Sequence, residues 1–178
     1  ERPDLLLPLP LTTASTRASL TSAERLHRLD SQLSVGQART RIDAWLAQDV
    51  GAAQIEKTLQ QWEEQHSQLI QRFNSWIDVP ATRNRDEWVN ATDRRRAADR
   101  LLACWRETLR EAPGQEGAGS DYHVDLSGLI LGDLPDLPVT FSHVGGLDLS
   151  GVRLTTASQQ FLGAFPRLNS LNLNGNRL

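Results

Sequence analysis

Between Asp121 and Leu178 the chain states one pattern three times: DYHVDLSGLIL at 121–131, VGGLDLSGVRL at 144–154 and LNSLNLNGNRL at 168–178. Val124, Leu147 and Leu171 share a column; Leu126, Leu149 and Leu173 share the next; Leu131, Leu154 and Leu178 close it. Successive steps are 23 and 24 residues long, from Val124 to Leu147 to Leu171. Alternate residues of an extended strand point to opposite sides, so each segment reads as a short strand with one apolar side. Such a unit cannot bury that side alone. Stacking like on like builds a continuous apolar spine of parallel strands.

The pattern is the L-x-x-L-x-L-x-x-N-x-L step of a leucine-rich repeat. The fold class expected is therefore α+β, mainly α: an N-terminal helical bundle or cap followed by the start of a leucine-rich-repeat solenoid. The asparagine that bonds to loop backbone inside such a stack is met only by Asn176; Leu129 and Val152 replace it in the earlier steps. The glycines of SGLILG and SGVRL belong to turns after the strands, not to a phosphate loop. TTASQQFLGAFPRL predicts a short convex helix that packs Phe161, Leu162 and Phe165. No capping helix follows Leu178, which predicts further repeats in the natural protein and leaves an edge through which isolated copies can pair.

The preceding residues read as support for this coil. Residues 1–20 are rich in Pro, Thr and Ser and form an extended lead-in. Residues 21–112 read as an all-helical domain that caps the solenoid, 113–120 (PGQEGAGS) as a Gly-rich linker, and 121–178 as the repeats. Thr21 with Glu24 and Ser34 with Gln37 are capping boxes. The first opens a short helix with Leu26, Leu29 and Leu33 on one face, and the second opens another helix whose apolar positions are Ala38, Ile42, Trp45 and Leu46. Ile55, Leu59, Trp62, His66, Leu69, Phe73 and Trp76 alternate spacings of four and three, a heptad seam that wants an antiparallel partner. His66 reads as a hydrogen-bonded core histidine, and Pro80 ends the helix. After Trp88 and Val89 a last helical stretch carries the stripe Ala98, Leu101, Leu102, Trp105 and Leu109. Arg94, Arg95, Arg96, Arg100 and Arg110 read as a solvated face paired with acidic neighbours. Ala97, Leu101 and Cys104 make a second apolar stripe, so that one stripe can face the bundle and the other the solenoid. All five tryptophans lie before the repeats, as expected of an aromatic core.

Composition narrows the function. A net charge of -3 and a pI near 5.8 give no electrostatic case for nucleic acid. No apolar run approaches the roughly 20 residues of a membrane span, Pro8 and Pro10 cut short the only leader-like run, and the piece reads as soluble. One cysteine excludes an internal disulfide framework. The absence of methionine, even at position 1, suggests a piece of a longer polypeptide. Lys57 is the sole lysine among 19 basic residues, which fits a genome that favours Arg codons.

A tryptophan-bearing helical region, the helix RRRAADRLLACWRETL and then YHVDLSGLILGDLPDLP together resemble the N-terminal half of bacterial leucine-rich-repeat effectors of the IpaH/SspH type. Leu134, Pro135, Leu137 and Pro138 match that family's L-P-x-L-P feature, and the resemblance covers residues 60–178 approximately. It implies a secreted bacterial virulence protein, delivered into a host cell, whose repeats select a host protein. It also implies a separate E3 ubiquitin ligase domain that transfers ubiquitin through a cysteine in a Cys-x-Asp context. No such domain is present, and Cys104 is followed by Trp105 and Arg106, so catalysis is not carried over and Cys104 reads as a small packed apolar residue. For a ligase parent, scarcity of lysine would limit self-modification. Three functions remain open: a target-recognition piece of an effector-like protein, the substrate-targeting part of a larger ubiquitin ligase, or a structural connector between a toxin-like region and the repeats.

Little else suggests chemistry. Histidines 27, 66, 123 and 143 and Cys104 lack metal-ligand spacing, Asp121, His123 and Asp125 have no nucleophile or oxyanion donor beside them, and no cofactor is expected. What remains is the outward side of the strands, in columns: His123, Gly146, Ser170; Asp125, Asp148, Asn172; Ser127, Ser150, Asn174. Strands about 4.8 Å apart bring Asp125 beside Asp148, which costs energy unless solvent or a basic partner compensates. The set His123, Asp125, Ser127, Asp148, Ser150, Ser170, Asn172 and Asn174 is either a mildly acidic concave face for a protein partner or a solvated sheet face.

Overall fold

The computed structural model describes residues 22–78, 90–114, 122–156 and 158–178. The lead-in 1–20, Thr21 with its capping box, Pro80, Trp88, Val89, linker residues 115–120 and Asp121 lie outside the described residues. In chain order the elements are α1 (residues 22–29), α2 (Val35–Ala47), α3 (Ala52–Ile77), α4 (Ala91–Arg106) continued by a 3-10 turn (Glu107–Arg110), β1 (Tyr122–Asp125), β2 (Val144–Asp148), α5 (Gln159–Gly163) and β3 (Ser170–Asn172). The chain is thus α+β, mainly helical, with a three-stranded parallel sheet. It divides into two compact units, Glu1–Glu63 with Ala112–Gly114, and Glu64–Glu111 with Gln115–Leu178. One boundary falls inside α3, between Glu63 and Glu64, and another between Gly114 and Gln115, inside the Gly-rich stretch.

In the first unit Ser34 caps α2 reciprocally: its hydroxyl accepts from the Gln37 amide at 3.2 Å while the Gln37 side chain accepts from the Ser34 amide at 2.9 Å. Leu26, Leu29 and Leu33, then Ala38, Ile42 and Trp45, then Ile55, Leu59 and Trp62 are buried. Trp45 meets Trp62 edge to face, ring centroids 5.9 Å apart. Leu46, expected on the same face, is 41% exposed: Trp45 takes the inward position of that turn, and the next residue is rotated towards solvent. Arg25 spans two carboxylates of α3, Glu56 and Glu63, each at 2.5 Å.

In the second unit the rest of α3 finds the antiparallel partner that its heptads call for. Gln65 and His66 lie against Trp105 of α4, whereas Trp76 lies against Arg94 at the other end of α4. Leu69, Phe73 and Trp76 of α3 and Ala98, Leu101, Leu102 and Trp105 of α4 are all buried. His66, expected to be a hydrogen-bonded core histidine, is half-buried, and among the described residues its ring meets that of Trp105 at 5.4 Å and no hydrogen bond to it is formed. Burial, with Arg106 nearby, pushes its pKa down, so its neutral form is favoured.

Arg94 departs most from the sequence reading. Placed there on the solvated face, it is 2% exposed. Its position, three residues before Ala97 and seven before Leu101, is on the apolar stripe. Its Nε and Nη2 donate to the Leu131 carbonyl at 3.0 and 2.8 Å, Nη1 donates to the Trp76 carbonyl, and Nη2 reaches Asp133 at 2.5 Å. Trp76 donates from Nε1 to the same carboxylate at 2.9 Å, and its ring lies under the guanidinium at 4.7 Å. Burial pushes the Arg94 pKa down, and Asp133 opposes that shift. Of the exposed arginines, Arg96 pairs with Asp93 and Arg110 with Glu107, both i,i+3, whereas Arg100 reaches the backbone of β1.

The sheet runs β1-β2-β3, with Val124 opposite Leu147 opposite Leu171. Val124, Leu126, Leu129 and Leu131 are buried with Leu147, Leu149, Val152 and Leu154 as one spine. In the third coil the equivalents Leu171 and Leu178 are 39% and 59% exposed. Turns after the strands place Gly128, Gly151 and Gly175 at φ 74, 65 and 72°, where other residues are strained. The Gly128 and Gly151 amides donate to Ser150 and Asn174 carbonyls of the following coil, each at 2.9 Å. Asn176 makes the bonds expected of it: its Oδ1 accepts from the Val152 and Leu154 amides, and its Nδ2 donates to the Leu149 and Leu173 carbonyls. On the crossover Ser158 caps α5, Phe165 stacks on Phe141 and also meets Phe161, while Leu162 is only half-buried.

β1 pairs with β2 through Tyr122 and Leu126, whose amides donate to His143 and Asp148 carbonyls. The Asp125 carbonyl faces the other way, where α4 lies. Arg100 donates to the Asp125 carbonyl at 2.8 Å, the Asn90 amide to the Ile130 carbonyl at 3.2 Å, and the Ile130 amide to Asp93 at 2.9 Å. Arg94→Leu strands the Leu131 and Trp76 carbonyls at this junction and is expected to cost roughly 2–4 kcal/mol in urea denaturation, against about 0.5 kcal/mol or less for exposed Arg95→Leu. Equal losses would contradict the assignment.

Candidate functional site

The outward columns stand in the register read from the sequence: His123 opposite Gly146 opposite Ser170, and Asp125 opposite Asp148 opposite Asn172. His123, Asp125, Ser170 and Asn174 are exposed, while Ser127, Asp148, Ser150 and Asn172 are half-buried. Gly146 has a specific reason to be glycine: a Cβ there would fall 2.0 Å from the His123 Nδ1, so the missing side chain lets that ring lie across the sheet.

One local bond recurs where each strand enters its turn. Asp125 Oδ1 accepts from the Ser127 amide and hydroxyl at 2.9 and 2.6 Å, and Asp148 Oδ1 accepts from the Ser150 amide and hydroxyl at the same distances. In the third coil Asn172 Oδ1 accepts from the Asn174 amide at 3.1 Å. The serine hydrogen bonds hold both aspartate pKa values below the ordinary carboxylate range. Their mutual repulsion raises that of Asp125 only in part, and Arg100 and the Asn172 amide, which lies 3.4 Å from Asp148 Oδ2, act in the opposite direction. Carboxylates held so firmly ionised are poor proton donors near neutral pH. They present fixed negative charge and hydrogen-bond acceptors to whatever approaches the face.

Beside this face a cavity of about 240 Å³ opens between α4 and β1, lined by Arg100, Ala103, Tyr122, His123, Val124 and Asp125. Burial pushes the Tyr122 phenol up, so it stays neutral. The sequence reading places Arg100 on the solvated face and does not single out Tyr122; only the docking of α4 brings the two to the sheet face. The same docking joins two residues far apart in the chain. His143 Nε2 lies 2.8 Å from the Cys104 carbonyl and 3.4 Å from its sulfur, which fits Nε2–H donating to the carbonyl. His143 Nδ1 has no partner among the described residues. Burial, with Glu107 nearby, pushes the Cys104 thiol up to about 12, so it is a protonated, packed side chain and not a nucleophile. Among the described residues no three His, Cys, Asp or Glu side chains converge to hold a metal, and no helix is long and apolar enough to cross a membrane.

No protein-family model matches the chain, and comparisons with curated proteins and with solved structures find no match. The geometry therefore stands by itself.

Because the folded carboxylates titrate below their unfolded range, the serine bonds stabilise the sheet above that range, and the contribution is lost as pH falls through the folded values. Ser127→Ala is expected to move the Asp125 titration, followed by side-chain NMR, up towards the ordinary range and leave Asp148 nearly unchanged. An unmoved Asp125 would show that the hydrogen bond is not the cause.

Proposed function

We propose that this chain is a recognition module: the opening coils of a leucine-rich-repeat solenoid, sealed on the β1 side by helices, that bind a partner protein through the outward columns of the sheet. The observation that carries the reading is the same side chain-to-turn bond made by Asp125, Asp148 and Asn172 in three registered strands. It orders polar groups in rows across a surface, a rigid arrangement suited to binding at low entropic cost. The 23- and 24-residue steps, the turn glycines and the bonds of Asn176 support the solenoid part of the reading. The two ionised aspartates favour a partner segment that carries Lys or Arg.

The L-P-x-L-P stretch at Leu134–Pro138 favours a parent of the IpaH/SspH effector type, secreted and delivered into a host cell. In that parent this chain supplies targeting, and ubiquitin transfer belongs to a domain outside it, in keeping with the buried, protonated Cys104 thiol.

A pull-down that compares the wild type with a doubly charge-reversed Asp125→Arg, Asp148→Arg variant, both checked for native circular dichroism, tests the face. Charge reversal is expected to lower the affinity of the recovered partner about tenfold or more, a loss of roughly 1.4 kcal/mol. Undiminished binding would leave the sheet face a solvated surface.

A further inference from the structure

Opposite charges stand on the two walls of the cavity between α4 and β1 and do not meet. Arg100 on the helix side and Asp125 on the strand side both line it, yet among the described residues they form no ion pair with each other. Each is anchored by a different bond. Arg100 Nη1 donates to the Asp125 backbone carbonyl at 2.8 Å, which leaves its Nε and Nη2 without a partner among the described residues. Asp125 Oδ1 accepts from the Ser127 amide and hydroxyl, which leaves Oδ2 without one. The two charges are thus held apart, with donors on one wall and an acceptor on the other.

The rest of the lining adds shape and apolar surface. Ala103 supplies a methyl group, Tyr122 a phenol that burial keeps neutral, and His123 a ring that lies across the sheet because Gly146 has no Cβ. All of these residues belong to the second compact unit. The volume, about 240 Å³, falls below the roughly 300–1,000 Å³ of sites for drug-sized ligands, so the occupant is a small molecule. A plain anion drawn to Arg100 would lie against Asp125, which has Asp148 beside it in the next strand. A plain cation drawn to Asp125 would lie against Arg100. Like charges at such range repel, and a group that carries both signs a few bonds apart avoids both clashes.

We infer that this cavity is a binding site for a zwitterionic α-amino acid with an apolar or aromatic side chain, its carboxylate on Arg100 and its ammonium on Asp125. The Ser127 bonds and the Asp125 carbonyl fix the two charged groups before the ligand arrives, which lowers the entropic cost of binding. The side chain of the ligand lies against Ala103 and the Tyr122 and His123 rings. The inference does not rest on the recognition reading above, since no partner protein enters it.

The test titrates L-phenylalanine at millimolar concentration into the whole chain and follows backbone amides by NMR. Saturable shifts are expected at Tyr122, His123 and Val124 and not at Ile42 of the first unit. N-acetyl-L-phenylalanine lacks the ammonium and L-phenylalaninamide lacks the carboxylate; each is expected to bind about tenfold more weakly or worse. Arg100→Gln is expected to erase the difference between phenylalanine and its amide, and Asp125→Asn the difference between phenylalanine and its N-acetyl form, as a double-mutant cycle requires. Asn at 125 can keep the turn bond, as Asn172 does with Asn174. Ala103→Leu narrows the cavity without touching either charge and is expected to abolish the shifts even if the Arg100 variant fails to fold. Absence of saturable shifts in the wild type, equal binding of the three compounds, or preferences that survive in natively folded variants would overturn the assignment. None of these readouts depends on the proposed partner, so their failure and that of the recognition reading are separable.

Discussion

A parallel sheet satisfies the backbone of each strand with the next one, which leaves the first strand, among the described residues, with amides and carbonyls turned outward and no further strand to meet them. Each such group costs about 1–3 kcal/mol if it is buried without a partner. The second compact unit is built around that constraint. Along α4 and its cap, the Asn90 amide, the Asp93 carboxylate and the guanidinium groups of Arg94 and Arg100 meet the Ile130, Leu131 and Asp125 backbone one after another. Ala97, between Arg94 and Arg100, and Leu101 and Cys104, just beyond Arg100, are buried. One helix thus covers an apolar spine and satisfies a strand edge, with its two kinds of residue interleaved.

This explains why an arginine is in the core. A buried charge is stabilising only when its donors are filled, and Arg94 fills its donors with two carbonyls and the Asp133 carboxylate, which is itself 67% exposed. Trp76 joins the network through its ring and its Nε1, so the end of α3, the start of α4 and the loop at Leu131–Asp133 are positioned together.

Where one periodicity decided the outcome, the sequence could be read directly. The inward column Val124, Leu147, Leu171, the outward column Asp125, Asp148, Asn172, the Ser34 box and the environment of Asn176 follow from alternation, spacing or a local side chain-to-backbone rule. What depended on long-range packing could not be read. Arg94 looks like its neighbours Arg95 and Arg96 until the Leu131 carbonyl is known to face it, and His66 occupies a heptad position but meets a ring. Cys104 and His143 are 39 residues apart and come together only because α4 lies on the sheet. The cavity beside Arg100 and Tyr122 was invisible for the same reason. The Asp125–Ser127 and Asp148–Ser150 bonds were a missed signal, since D-L-S occurs twice at matching positions.

The account as a whole depends on three parallel strands paired in one register. Interstrand nuclear Overhauser contacts in solution measure that register most directly. Contacts that pair Val124 with Leu147 and Leu147 with Leu171, Asp125 with Asp148, and the Arg100 side chain with the Asp125 backbone are the predicted result. Strands paired antiparallel, a register displaced by one residue, or an α4 without contacts to β1 would contradict the account.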